Sequence, residues 1–143
     1  MKSVAEYTNK DDVRTLMKNA KRLGNDVVYW KAFSKLCQLE GMDYDAPLDR
    51  EFYSTLAAYE ELLTAKNGRT TKASRTRQKL SNKGVIQCLE DWAMARTATD
   101  GFELLVSNGL IELTGEFLVL KYPDRFSAKA VAAAKARLAD HIV

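Results

Sequence analysis

Apolar residues recur along most of the chain at spacings of three and four, the period of a helix with one buried face. Glycine or a small polar residue stands at nearly every break in that pattern. The first stripe is Val13, Leu16, Met17, Ala20 and Leu23, opened by Asn9 as an N-cap, closed by Gly24 and basic on its other side. Asp26 is placed to cap a second helix that buries Val27, Tyr29, Trp30, Phe33, Leu36, Cys37 and Leu39 and stops at Gly41. Together they predict an antiparallel helical hairpin. Asp45 and Pro47 hold the cap and first-turn positions of a long third helix through Phe52, Leu56, Tyr59, Leu62 and Leu63, which Asn67-Gly68 ends.

The pattern then turns polar. A helix is predicted over 71–83, capped by Thr70 or Thr71, and Gly84 divides it from an amphipathic helix containing Val85, Ile86, Leu89, Trp92 and Ala93. Thr99 or Asp100 caps a short segment with Phe102, Leu104, Leu105 and Val106, ended by Asn108-Gly109. Thr114 can cap a helix through Phe117, Leu118 and Leu120. The stretch 110–122 is also rich enough in Phe, Val, Leu and Tyr to form a small buried β-hairpin instead. Pro123 stops it, and Ser127 caps an alanine-rich last helix of high intrinsic propensity. The expected fold class is all-α: a single compact multi-helix bundle over residues 1–143, built from short helical hairpins, with a β-hairpin near 110–122 as the alternative for that stretch.

Composition agrees with this and narrows the function classes. A length of 143 suits one ordinary domain, and 46% hydrophobic with 29% charged residues describes a globular chain, not a disordered one. The opening MKSVAEYTNKDD has no apolar core of a secretory signal, and no apolar run approaches the roughly 18 residues needed to cross a bilayer. A cytoplasmic protein without a membrane partner is expected. Cys37 and Cys88 have neither metal-ligand spacing nor disulfide density, and read as small buried hydrophobes.

Charge changes the picture. The formal net charge is only +3, but residues 62–89 contain seven cations and no acid, while 1–61 and 90–143 each carry a surplus of two acids. A basic segment inside an acidic frame attracts a polyanion to one place on the surface. The cations are Lys66, Arg69, Lys72, Arg75, Arg77, Lys79 and Lys83, interleaved with Thr70, Thr71, Ser74, Thr76 and Ser81. Arg forks and compact hydroxyls are suited to phosphate oxygens. On a helix from Thr71, Lys72, Arg75 and Lys79 share one face, Arg77 and Lys83 splay to the sides, and Ala73 and Leu80 form an inward seam. Free amides at its start could take a phosphate as well. The candidate nucleic-acid-binding residues are Lys66, Arg69, Thr71, Lys72, Ser74, Arg75, Arg77, Gln78, Lys79 and Lys83.

The string SRTRQKLSNKGVI, residues 74–86, resembles the recognition helix of winged helix-turn-helix DNA-binding domains, in which Ser, Thr and Arg precede a Leu and a Lys-Gly-hydrophobic exit. The resemblance implies a helix that enters the major groove, followed by a strand and wing. Here the residues after Gly84 read as another amphipathic helix, so no base-contacting role is carried over.

Other chemistry has little to build on. His141 is the single histidine, near the chain end. Asp11-Asp12, Glu60-Glu61 and Glu90-Asp91 are adjacent pairs whose side chains diverge by about 100° on a helix, fitting solvation better than chelation. Glu112, Glu116 and Lys121 lack the spacing of a metal-dependent nuclease, and no phosphate-binding glycine motif occurs. No cofactor, metal or catalytic residue is expected. Core packing is the default for every aromatic, and Tyr53 and Tyr59, on the helix leading into the basic segment, are the first to consider for packing against a partner helix or stacking on a base. The expected partner is nucleic acid, DNA ahead of RNA. The alternative is an acidic protein surface met by a helical adaptor, and apolar edge residues leave room for a homodimer.

Overall fold

Asn9 caps the first helix as its position requires, its Oδ1 accepting the amides of Asp11 and Asp12 at 2.8 and 3.2 Å. A computed structural model describes residues 3–98 and 100–139, the Asp100 side chain excepted. Its helices are α1 (Lys10–Arg22), α2 (Asp26–Gly41), α3 (Pro47–Asn67), α4 (Ser74–Met94), α5 (Asp100–Ser107), α6 (Gly115–Lys121) and α7 (Ala128–Ala139), with 3-10 turns at Val4–Glu6, Ile111–Leu113 and Pro123–Arg125. Among the described residues there is no strand, and the chain is all-α. It divides into two compact units, Met1–Ala58 and Tyr59–Val143.

In the first unit α1 packs along α2, with Val13, Met17, Phe33, Leu36 and Cys37 buried. The cap of α2 is Asn25, not Asp26: its Oδ1 accepts the Val28 amide and its carbonyl accepts that of Tyr29. The turn at Gly24 is complete one residue earlier than the spacing suggested. Leu23 and Val27, expected inside, are 70% and 66% exposed. They sit on the two helix ends that this turn joins, where the apolar stripes run off the packed surface. Pro47 opens α3, but the residue whose carbonyl accepts the first helical amide, that of Arg50, is Ala46 and not Asp45. Gly41 is a point of close approach: a Cβ there would overlap the Arg50 carbonyl and the Ser54 hydroxyl.

In the second unit 110–122 is a 3-10 turn followed by α6, which overturns the β-hairpin alternative. Thr114 Oγ1 accepts the Phe117 amide at 3.2 Å, and burial runs continuously through Leu113, Thr114, Gly115 and Glu116, then Leu118 and Val119, where a strand would alternate. Ser127 caps α7 through the Ala130 amide. Thr99 and the Asp100 side chain, expected to cap α5, lie outside the described residues.

The break in α4 matters most. Gly84 has φ +88° and ψ 175°, a conformation open almost only to glycine. Residues twelve apart on an unbroken helix are about 18 Å apart along the axis, yet the Cys88 thiol faces the Thr76 carbonyl oxygen at 3.9 Å. The segments 74–83 and 85–94 therefore fold back on each other as two arms. The second buries Cys88, Leu89 and Ala93, whereas no residue of the first is buried. Gly84→Ala should cost about 1–3 kcal/mol of unfolding free energy through backbone strain. Gly41→Ala should cost a similar ~1–3 kcal/mol through overpacking. Urea unfolding of each variant checks both.

Candidate polyanion-binding arm

The basic segment begins where α3 ends. Lys66 is exposed in its last turn, and Gly68, at φ +72°, turns the chain into the link that carries Arg69 and Lys72. Thr71 anchors this link. Its amide donates to Thr64 Oγ1 at 2.9 Å, its hydroxyl donates to the Arg69 carbonyl at 2.8 Å, and that hydroxyl accepts from Asn67 Nδ2 at 3.2 Å. Thr71 thus neither caps α4 nor stands free for a phosphate, and Thr70 precedes the helix by four residues.

The cap comes from another helix. Glu60 of α3 is buried, and its Oε2 accepts the amide of the N-cap residue Ala73 at 2.8 Å, the bond that a glutamate three residues into the helix makes in a capping box. The same carboxylate takes a two-pronged contact from Arg77, Nε to Oε2 at 2.6 Å and Nη2 to Oε1 at 2.7 Å, while Lys72 Nζ stands 3.8 Å away. Burial pushes the Glu60 carboxyl up, but Arg77, the Ala73 amide and Lys72 outweigh it and hold the group below the ordinary carboxylate range. An amide expected to await a phosphate is already bound by an internal anion.

Lys79 is engaged too, its Nζ 2.7 Å from Asp91 Oδ2 across the Gly84 break. Gln87 Nε2 donates to Asp91 Oδ1 at 2.9 Å. Hydrogen bonds from Lys79 and Gln87 keep the Asp91 carboxyl below its usual value. Lys72, Arg77 and Lys79 therefore turn toward carboxylates, correcting the expectation that Lys72, Arg75 and Lys79 present one common outward face. Arg69, Arg75 and Lys83 are exposed and form no ion pair among the described residues. Ser74 and Gln78 are exposed on the same arm, and Leu80 is half-buried on its inner side.

The remaining candidates are absorbed by packing. Tyr53 stacks on Tyr44 with ring centres 3.6 Å apart, and Tyr59 meets Trp92 edge-on at 5.2 Å. Glu112 and Glu116 do not share a helix face: Glu112 is exposed in a 3-10 turn, whereas Glu116 is buried in α6 and accepts Arg137 Nη1 at 2.7 Å. Arg137 also donates to the carbonyls of Trp92 and Ala95 at the end of α4. Burial raises the Cys88 thiol above its usual value, as for a cysteine packed as a small hydrophobe. His141 lies outside the described residues. Among the described residues no three His, Cys, Asp or Glu side chains gather as a metal site, and no helix is long and apolar enough to cross a membrane.

Glu60 is the residue that sequence reasoning missed. Its signal was its register: it falls four after Leu56 and three before Leu63, on the buried stripe of α3, where an acid needs a partner. The strand expected after a winged recognition helix is absent, and the second arm of α4 occupies that stretch. No family model, no curated protein and no solved structure matches this chain.

The depressed Glu60 value has a pH consequence. Its stabilisation is fully present above the unfolded carboxylate value and is lost as pH falls through the lower folded one. Arg77→Met should cost about 2–3 kcal/mol at pH 7, below the range for fully buried pairs because Arg77 is half-exposed. The cost should shrink toward pH 3, and Glu60→Gln should flatten the acid limb of stability. Urea titrations at several pH values measure both.

Proposed function

We propose that the protein binds nucleic acid, duplex DNA ahead of RNA, by laying the outer side of the first arm of α4 against the phosphate backbone. The observation that carries this reading is that Arg69, Arg75 and Lys83 remain exposed and without an ion pair among the described residues, on and beside an arm with no buried residue. Ser74 and Gln78 stand on the same arm as hydrogen-bonding companions. Binding would proceed by charge attraction and release of condensed counterions, which makes affinity depend steeply on salt. The site is proposed for recognition alone, with no cofactor and no reaction.

A second reading, an adaptor that receives an acidic protein surface, draws on Met94 and Leu104, which are 50% and 47% exposed in the same unit. Interfaces of that kind combine apolar anchors with a charged rim. A stoichiometric protein partner, with no retardation of labelled duplex, would favour it.

Fluorescence anisotropy on a labelled duplex tests the leading reading. Replacing Arg69, Arg75 and Lys83 together by Ala should flatten the slope of log affinity against log salt by about 2.7, near 0.9 for each phosphate that is no longer neutralised. An unchanged slope rules the reading out.

A further inference from the structure

Lys79 and Asp91 form an ion pair that an unbroken helix would forbid, since twelve residues correspond to about 18 Å of axial rise. The fold-back at Gly84 brings Nζ and Oδ2 to 2.7 Å. This pair differs in kind from the one at Glu60. Lys79 and Asp91 side chains are 40% and 38% exposed, whereas that of Glu60 is 8% exposed. An exposed pair is weak and exchangeable, while unpairing a buried carboxylate leaves an uncompensated charge. The cations of the segment thus include one committed to the fold, Arg77, three available, Arg69, Arg75 and Lys83, and one held conditionally, Lys79.

From this geometry we infer that Asp91 is an internal competitor of the polyanion: it occupies Lys79 across the Gly84 break, so Lys79 adds no net attraction while Asp91 is charged and in place. The inference rests on the reading of the arm as a polyanion-binding surface and concerns the regulation of that surface. A phosphate that takes Lys79 must leave Asp91 unpaired, and the gain at one group is cancelled at the other. Neutralising Asp91 removes the competitor and turns Lys79 into a further phosphate contact. Removing a negative charge anywhere nearby would also strengthen binding somewhat, so the distinctive expectation is that the gain depends on Lys79.

The test is a double-mutant cycle with Lys79→Gln, Asp91→Asn and their combination, read with a labelled DNA duplex of about 20 base pairs and, separately, with heparin. Glu112→Gln, which removes an exposed acid with no ion pair among the described residues of the same unit, is the control for general field effects. Lys79→Gln alone should leave the salt slope unchanged, because a paired Lys79 neutralises no phosphate, and should lower affinity only by the weak field of the Asp91 charge it uncovers. Asp91→Asn should tighten duplex binding about fivefold, the gain of one freed exposed cation, and steepen the salt slope by about 0.9. In the combined variant both gains should vanish. Asp91 competition is overturned if Asp91→Asn changes nothing, if its gain survives loss of Lys79, or if Glu112→Gln matches it. If heparin shows the Lys79-dependent gain and the duplex does not bind, Asp91 competition stands and the nucleic-acid reading falls. If duplex binding depends on Arg69, Arg75 and Lys83 but not on Asp91, the reverse holds. Binding of neither probe overturns both. Unchanged melting temperatures across the set confirm that each comparison is between folded proteins.

Discussion

A carboxylate buried on the apolar stripe of a helix has to be supplied with donors, and Glu60 draws all of its own from the segment that follows α3. The Ala73 amide, both prongs of Arg77 and the more distant Lys72 converge on it. That convergence starts α4 at Ser74, fixes which side of its first arm faces inward, and engages Arg77 and Lys72 within the protein itself. Because the group is buried, the arrangement is close to obligatory: an unpaired Glu60 would cost several kcal/mol, of the order of the protein's whole margin of stability. The outward presentation of Arg75, and with it the candidate surface, follows from this internal requirement.

The second constraint is the Gly84 break. A continuous helix from Ser74 to Met94 would carry its cations along one rod. Folding it back sets the basic first arm beside a second arm that ends in acids and in the packed residues Leu89 and Ala93. The second arm is in turn held by Arg137, which reaches from α7 to the carbonyls at the end of α4 and to buried Glu116 in α6. One guanidinium therefore ties three helices of the unit. Arg137 and Arg77 each set a guanidinium on a buried carboxylate, Arg77 by a two-pronged contact with Glu60 and Arg137 by one bond to Glu116 with its other donors on carbonyls, and they place the end and the start of α4.

Charge segregation and charge pairing have different ranges, and this unit shows both. The run of seven cations without an acid is a property of chain order, but chain order does not decide which carboxylates come near in space. Glu60 and Asp91 lie just outside the acid-free stretch and fold onto it. What remains without an ion pair among the described residues is a smaller set of charges, Arg69, Arg75 and Lys83, on and beside a more exposed arm.

The amino-acid order by itself determined the all-helical class and most element ends: the Asn9, Thr114 and Ser127 caps, the glycine turns at 24, 68 and 109, and the division of the polar helix from its successor at Gly84. These are local matters, governed by hydrogen bonds within a few residues and by backbone conformations that only glycine adopts cheaply. It also exposed the basic segment, because composition needs no coordinates. It left open whether 110–122 was helix or hairpin, since a short apolar run satisfies either period until its neighbours are known. Tertiary structure alone decided that question, burying consecutive residues of the stretch where a strand would alternate, and it alone decided the fate of each cation. An ion pair between residues seventeen or twelve apart depends on how helices are packed and broken. No spacing rule along a single helix contains that information.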